Sequence, residues 1–211
     1  MFRKIKNIFG KKNAAPPVPP VFGPVEFIAA GLGNPGRGYE NNRHNAGFMA
    51  VDYIARQLGF AVKQSKFKAL CGESMVAGKR VLFLKPSTFM NKSGESIRDA
   101  MAFYKVPIER LVVFCDDTAL DIGKMRIRKK GSDGGQKGLR SIINQTGRDD
   151  FTRIRIGVGA KPHPEMDLAD WVLSNFTTQE KEKLRQMLEN SMGALELIVG
   201  GDTDAAMNRY N

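Results

Sequence analysis

Segments with the apolar patterns of β-strands and α-helices alternate along most of this chain. The strand-like runs are EFIAAGL, FKALCGESMVAG, RVLFLKP, LVVFCD, KMRIRKK and RIRIGVG. Helical spacing occurs at about 46–58, from Ser93 to Tyr104, after Gly138 and from Thr177 to Gly200. This alternation is typical of an α/β fold. We therefore predict a single domain with a mixed, mostly parallel, twisted sheet and helices on both faces.

Several residues have the types that begin or end helices. Ser93 is a candidate N-cap, and Thr177 with Glu180 has the spacing of a capping box. Gly200 and Gly201 are expected to end the last predicted helix.

The first 24 residues differ in composition from the rest. Residues 1–12 carry five basic side chains and no acidic one, and residues 13–24 are rich in proline. We predict that residues 1–24 form a disordered tail and that residues 25–211 form the domain. The apolar spacing within residues 1–12 leaves contact with an anionic membrane or with RNA as an alternative.

Composition limits where such a protein works. No run approaches the roughly 20 apolar residues that a membrane span needs, and no secretory signal is recognised. Cys71 and Cys115 have no partner at the spacing of a metal or redox motif. We expect a cytoplasmic protein without a membrane span or a structural metal.

Basic residues exceed acidic ones by a wide margin. The chain has 33 Lys and Arg against 22 Asp and Glu, a formal net charge of +11. Ten of the basic residues lie between Lys124 and Arg155, around a glycine-rich turn. This charge favours a nucleic-acid partner, bound through its phosphates.

The sequence GLGNPG, from Gly31 to Gly36, matches the dinucleotide-binding fingerprint and follows a predicted strand. In that motif a helix begins at once and holds the pyrophosphate at its amino end. Here the helical pattern begins only at about Ala46. We therefore interpret residues 31–45 as a loop at the end of the strand.

Three predicted strands end in polar residues that suit hydrolytic chemistry. His44 can act as a base near neutral pH, and the nearby Asn34 can hold a carbonyl group. Asn91 offers a donor and an acceptor to a peptide backbone. Asp116 can orient an imidazole; with Asp117 it could instead bind Mg²⁺. For each of these residues, the alternative is a purely structural role in a turn or as a helix cap.

Five motifs, in order, closely resemble the bacterial-type peptidyl-tRNA hydrolase family: GLGNPGRGYENNRHNAGF, KPSTFMNKSG, VVFCDD, GSDGGQKGL and RIRIGVG. The resemblance spans about Glu26 to Phe176. It implies cleavage of the ester between a peptide and the 3′ ribose of tRNA, which recycles tRNA from aborted translation. It also implies a monomeric α/β enzyme with no cofactor, no metal and no stable protein partner.

The resemblance also assigns roles to residues. It implies that His44 activates water, that Asp116 orients His44, and that Asn34 and Asn91 position the substrate. Tyr39 and Met90 would line the site. Basic residues that bind the acceptor arm and 3′ end of tRNA would be Arg126, Arg128 and Arg153.

Two stretches depart from the family pattern. Gln136-Lys137 stands where the family usually has His-Asn, so Lys137 would contact a phosphate or carbonyl instead of that asparagine. Cys115 replaces a common histidine, and the loop from Thr118 to Asp121 also differs. The alternatives are a non-catalytic RNA-binding protein, a dehydrogenase, and a hydrolase with Cys115 as nucleophile and His44 as base.

Overall fold

A computed structural model describes residues 23–211, and a seven-stranded sheet forms their centre. The spatial order is β2-β3-β4-β1-β5-β7-β6. The central strands β4, β1, β5 and β7 pair in parallel, whereas the pairings of β2, β3 and β6 are antiparallel. The prediction of a mixed, mostly parallel sheet is confirmed. The strands are β1 (Phe27–Gly31), β2 (Gln64–Lys66), β3 (Ala69–Val76), β4 (Lys79–Pro86), β5 (Leu111–Asp117), β6 (Met125–Arg128) and β7 (Thr152–Gly157).

Helices cover both faces of the sheet, as predicted, because alternate side chains of the central strands point into two separate apolar cores. In β1, Phe27 and Ala29 belong to one core, and Ile28 and Ala30 belong to the other. Helices α1, α5 and α6 contribute to the first core, and α2 and α3 contribute to the second. The helices are α1 (Ala46–Gln57), α2 (Ser93–Tyr104), α3 (Lys137–Thr146), α4 (Leu168–Leu173), α5 (Thr178–Gly200) and α6 (Thr203–Tyr210).

The predicted helix ends are confirmed at α5 and wrong at α2. Thr177 and Glu180 form a complete capping box, and Gly201 ends α5 in the left-handed conformation with φ 103°. Ser93 is the first residue of α2 rather than its cap, and its hydroxyl donates to the Met90 carbonyl at 2.9 Å. The reason is that a 3-10 turn, Met90–Lys92, leads directly into α2.

Glycines allow α1 to approach the sheet very closely. A Cβ atom on Gly47 would lie 2.3 Å from the Phe114 carbonyl oxygen of β5, and one on Gly31 would lie 2.4 Å from the Gly47 carbonyl. Any side chain at Gly47 would therefore push the helix off the strands. This close contact accounts for Gly31 of the fingerprint-like sequence, and it brings the start of α1 to the ends of β1 and β5.

Residues 1–22 lie outside the described part of the chain, so the disordered tail stays a prediction. Val25 is buried and β1 begins at Phe27, and the domain start at Val25 stays a prediction as well. No helix within residues 23–211 combines the length and apolar character that crossing a membrane requires.

Candidate active site

Polar side chains from several elements meet where β1 and β5 end. A continuous hydrogen-bonded network joins the loop after β1, the 3-10 turn before α1, the end of β5, the turn before α2 and the start of α3. Four of the residues predicted from sequence are in it, and two were not predicted. Its members are Asn34, His44, Asn45, Met90, Asp116 and Gln136.

His44 and Asp116 form the centre of this network. His44 Nδ1 lies 2.8 Å from Asp116 Oδ2, and the two side chains are 12% and 4% exposed. A carboxylate can only accept a hydrogen bond, so neutral His44 carries its proton on Nδ1. Its Nε2 then has a free lone pair, which is the arrangement that a general base needs.

Gln136 makes the second contact to the Asp116 carboxylate. Gln136 Nε2 donates to Asp116 Oδ1 at 2.9 Å, and Gln136 Oε1 accepts from the Leu139 N–H at 2.8 Å. The latter bond makes Gln136 the N-cap of α3. The sequence marks Gln136 only as a departure from the family pattern and does not predict its contact with Asp116. Its position just before an apolar helical segment was the available signal.

Asn34 is held in place by Asn45 and in turn positions Met90. The Asn34 N–H donates to Asn45 Oδ1 at 2.8 Å, and Asn45 Nδ2 donates to the Asn34 carbonyl at 3.0 Å. Asn34 Oδ1 accepts from the Met90 N–H at 2.9 Å. Because Oδ1 is engaged, the group that Asn34 can offer to a ligand is its Nδ2 donor.

The remaining predicted residues lie around this network. Tyr39 is half-buried in a 3-10 turn, and Asn91 and Lys137 are exposed next to Met90 and Gln136. Within residues 23–211 the side chains of Tyr39, Asn91 and Lys137 make no hydrogen bond to the network. Met90 is buried, 3% exposed, whereas its neighbours Phe89 and Asn91 are exposed.

Arg43, next to His44, fixes this turn to the carboxyl-terminal helices. Its guanidinium donates to both carboxylate oxygens of Glu180 at 3.0 and 2.9 Å, to Ser174 Oγ and to the Val158 carbonyl. It also stacks on Trp171, 3.7 Å from the ring centroid. Burial opposes ionisation of Glu180, but the hydrogen bonds from Arg43 and the Thr177 backbone hold its pKa below the usual value.

Arg43→Lys should therefore destabilise the protein. Lysine keeps the charge, but its single ammonium cannot bond Glu180, Ser174 and the Val158 carbonyl at once, and it loses the planar stack on Trp171. We expect the free energy of unfolding to fall by about 1–3 kcal/mol. Urea denaturation measures this change. The exposed Arg56→Lys is the matched control, with an expected change below about 0.5 kcal/mol; equal effects of the two variants would contradict the role of Arg43.

The two arginines predicted on β6 form an exposed basic face, while Arg153 does not join it. Met125 and Ile127 of β6 point into the core beside α5 and α6, so Arg126 and Arg128 are exposed on the opposite face.

The prediction that Arg153 binds tRNA does not fit its position in β7. Its side chain is 2% exposed and donates to the carbonyls of Gly131, Ser132 and Asp149. Its guanidinium also bonds the Phe151 carbonyl and lies over the Phe151 ring, so it ties the glycine-rich turn to the segment just before β7. Arg155, two residues later, pairs across the sheet with Arg126 and is about a quarter exposed.

The alternatives to a histidine base find little support here. Cys115 is completely buried, and burial raises the pKa of its thiol. Asp117 contacts Arg155, with Asp117 Oδ2 at 2.9 Å from Arg155 Nε, and Asp117 Oδ1 accepts from the Ala119 N–H. In the part of the chain from residue 23 onward, no group of three or more His, Cys, Asp or Glu could hold a metal ion.

Comparison with known proteins identifies the family of this chain. The peptidyl-tRNA hydrolase family model matches residues 28–211. A peptidyl-tRNA hydrolase of Caldicellulosiruptor bescii is 48% identical over 187 residues, 89% of this chain and 97% of that protein. One from Agathobacter rectalis is 46% identical over 186 residues, 88% of this chain and 100% of that protein.

A solved structure of the same family is also similar to this chain. The crystal structure of peptidyl-tRNA hydrolase from Acinetobacter baumannii has a TM-score of 0.82 and 31% sequence identity to this chain. The match covers 90% of this chain and 96% of that structure. With the family model and the close relatives, it establishes that the chain belongs to the peptidyl-tRNA hydrolase family of enzymes.

Proposed function

We propose that this enzyme hydrolyses the ester between the peptide and the 3′ ribose of peptidyl-tRNA, with His44 as the general base. The observation that carries the proposal is the 2.8 Å contact between His44 Nδ1 and Asp116 Oδ2. The two residues come from separate segments of the chain, and the contact gives His44 the tautomer that can accept a proton at Nε2.

The mechanism uses one water molecule and no covalent enzyme intermediate. As the water oxygen attacks the ester carbonyl carbon, His44 Nε2 removes a proton from the water, and the imidazolium that forms is stabilised by Asp116. The bond between the carbonyl carbon and the 3′ oxygen then breaks, and the imidazolium returns its proton to the 3′ oxygen. The products are the free 3′ hydroxyl of tRNA and the peptide acid, which loses its remaining proton to solvent and becomes a carboxylate.

The neighbouring residues would position the ester and its peptide. Asn34 Nδ2 is the donor for the ester carbonyl and for the oxyanion that develops on it. The exposed Asn91 would bind the peptide backbone, and Lys137 would contact a phosphate or carbonyl. Tyr39 and Met90 would line the site. An open cavity of about 580 Å³ beside Asn34 and Asn45 leaves space for substrate atoms.

The basic face on β6 would bind the acceptor arm of the tRNA. Arg126 and Arg128 are exposed there, and Arg155 replaces the buried Arg153 as the third residue of the proposed surface. Arg155 also contacts Asp117, the neighbour of Asp116, so the surface adjoins the end of β5. Phosphate contacts of this kind position a nucleic acid without reading its sequence.

The double variant Arg126→Ala, Arg128→Ala should raise KM and weaken the salt dependence of tRNA binding. Each lost phosphate contact should reduce the slope of log K against log salt concentration by about 1, or about 2 for both. Binding titrations of tRNA at several salt concentrations give this slope. A control that removes two exposed arginines, Arg110→Ala just before β5 with Arg185→Ala on α5, should leave the slope nearly unchanged. An unaltered slope in the Arg126 and Arg128 variant would contradict the proposed surface.

A monomeric enzyme located in the cytoplasm stays a prediction. Hydrolysis itself is tested by incubating the protein with a purified N-blocked aminoacyl-tRNA and measuring the release of free tRNA. Release at a catalytic rate supports the proposal. Tight tRNA binding without release would instead favour the non-catalytic RNA-binding alternative.

A further inference from the structure

The Asp116 carboxylate is held from two sides, and only one side belongs to His44. Asp116 Oδ2 lies against His44 Nδ1, and Asp116 Oδ1 accepts from Gln136 Nε2 at 2.9 Å. The carboxylate is 4% exposed, so these side chains take the place of the water that would otherwise solvate it. With two fixed donors, the carboxylate plane cannot rotate without breaking a charge-assisted hydrogen bond.

Gln136 itself has a fixed orientation. Its Oε1 accepts from the Leu139 backbone N–H, so its Nε2 must be the end that faces Asp116. Its Nε2 also lies 3.3 Å from Met90 Sδ, and a Cβ atom at Gly138 would be 2.6 Å from the same sulfur. The first turn of α3 is thus packed tightly against the buried side chain of Met90.

A role as helix cap does not by itself explain a glutamine here. Ser, Thr, Asp and Asn are the preferred N-cap residues, because their short side chains reach the N–H groups of the first turn. The amide of Gln136 reaches one methylene further, and this added length lets a single side chain cap α3 and donate to Asp116. The donor is also neutral, so it fixes the carboxylate without adding charge beside His44.

We infer that Gln136 is a positioning residue for catalysis: it acts through Asp116 to hold the His44 imidazole in its reactive orientation. This inference rests on the proposed function, since it requires His44 to be the base. Loss of the contact should lower the rate of the chemical step and leave the binding of tRNA intact, because Gln136 is buried and does not belong to the basic face.

Two variants separate the catalytic contact from the cap. Gln136→Asn keeps an amide that can cap α3 but is too short to reach Asp116 as well. Gln136→Ala removes both interactions. We expect both to lower kcat by about 10- to 100-fold, the range for loss of a hydrogen bond to a charged group or for a small misplacement of a reacting group. KM should change little, and the thermal unfolding midpoint should fall further for Gln136→Ala than for Gln136→Asn, because alanine loses the helix cap as well as the bond to Asp116.

The experiment measures kcat, KM and the unfolding midpoint for these variants, the wild type and His44→Ala with one N-blocked aminoacyl-tRNA. Equal losses of kcat in the two Gln136 variants, despite different stabilities, support the inference. Wild-type kcat in Gln136→Asn, or losses of kcat that follow stability, would overturn it. A fully active His44→Ala would refute the proposed base and this inference together, whereas an inactive His44→Ala beside a fully active Gln136→Asn refutes the inference alone.

Discussion

His44→Ala is expected to lower kcat by about 10²- to 10⁴-fold, the usual contribution of a general base. The variant removes the imidazole whose Nε2 is proposed to take the proton from water. His44 is 12% exposed and its ring touches Asp116, so alanine leaves a small gap next to Asp116 without disturbing the basic face. The binding of tRNA should therefore stay close to that of the wild type.

The matched control is the only other histidine of the chain, His163. It is exposed in the loop between β7 and α4, so His163→Ala should retain full activity. Single-turnover release of tRNA from an N-blocked aminoacyl-tRNA gives the rate of the chemical step, and a titration with uncharged tRNA gives affinity. A His44→Ala rate close to that of His163→Ala would contradict the assignment.

Asp116→Asn is expected to lower kcat about as much as His44→Ala does, although it changes few atoms. Asp116 accepts hydrogen bonds from two donors, His44 Nδ1 and Gln136 Nε2. An asparagine has a single acceptor oxygen, so one of these donors would face an NH₂ group. If His44 takes the other tautomer to accept from that group, its Nε2 carries a proton and can no longer act as a base. The corresponding change in the serine protease triad lowers kcat by roughly 10⁴-fold.

Asp117→Asn is the control for this variant. The Asp117 side chain contacts Arg155 and the Ala119 N–H, and asparagine can keep the latter bond. We expect kcat to be retained, with any effect confined to KM through Arg155. Nearly equal kcat values for Asp116→Asn and Asp117→Asn would mean that Asp116 does not orient the base.

Much of the fold follows from local patterns. The apolar runs identify the central strands because those strands are buried on both faces. The capping box at Thr177 was readable because its two side chains act on backbone groups only three residues away. The short elements β2, α4 and α6 were not predicted. They have too few residues for an apolar period to show, and they bury few side chains: none in β2 or α4, and Ala206 in α6.

The sequence predicts those residues of the candidate site that lie at strand ends or in family motifs, and it does not predict the others. His44 follows β1 and Asp116 lies near the end of β5, its parallel neighbour in the sheet, so their meeting was foreseeable. Gln136 and Arg153 depend on tertiary packing. Gln136 reaches Asp116 only because α3 docks beside Met90, and Arg153 is buried because the turn at Gly131 and Ser132 folds over it. Arg153 and Arg155 have the same alternation in the sequence, so the pattern could not separate them.

Hydrolysis by a His44-activated water molecule is tested most directly by following the water oxygen during the reaction. The wild type and His44→Ala are incubated with an N-blocked aminoacyl-tRNA in ¹⁸O-labelled water, and the released peptide acid and tRNA are analysed by mass spectrometry. We predict rapid release by the wild type only, with one ¹⁸O atom in the carboxylate of the peptide product and none in the tRNA. Failure of the wild type to release tRNA, label in the tRNA, or equally fast labelled release by His44→Ala would contradict hydrolysis by a water molecule that His44 activates.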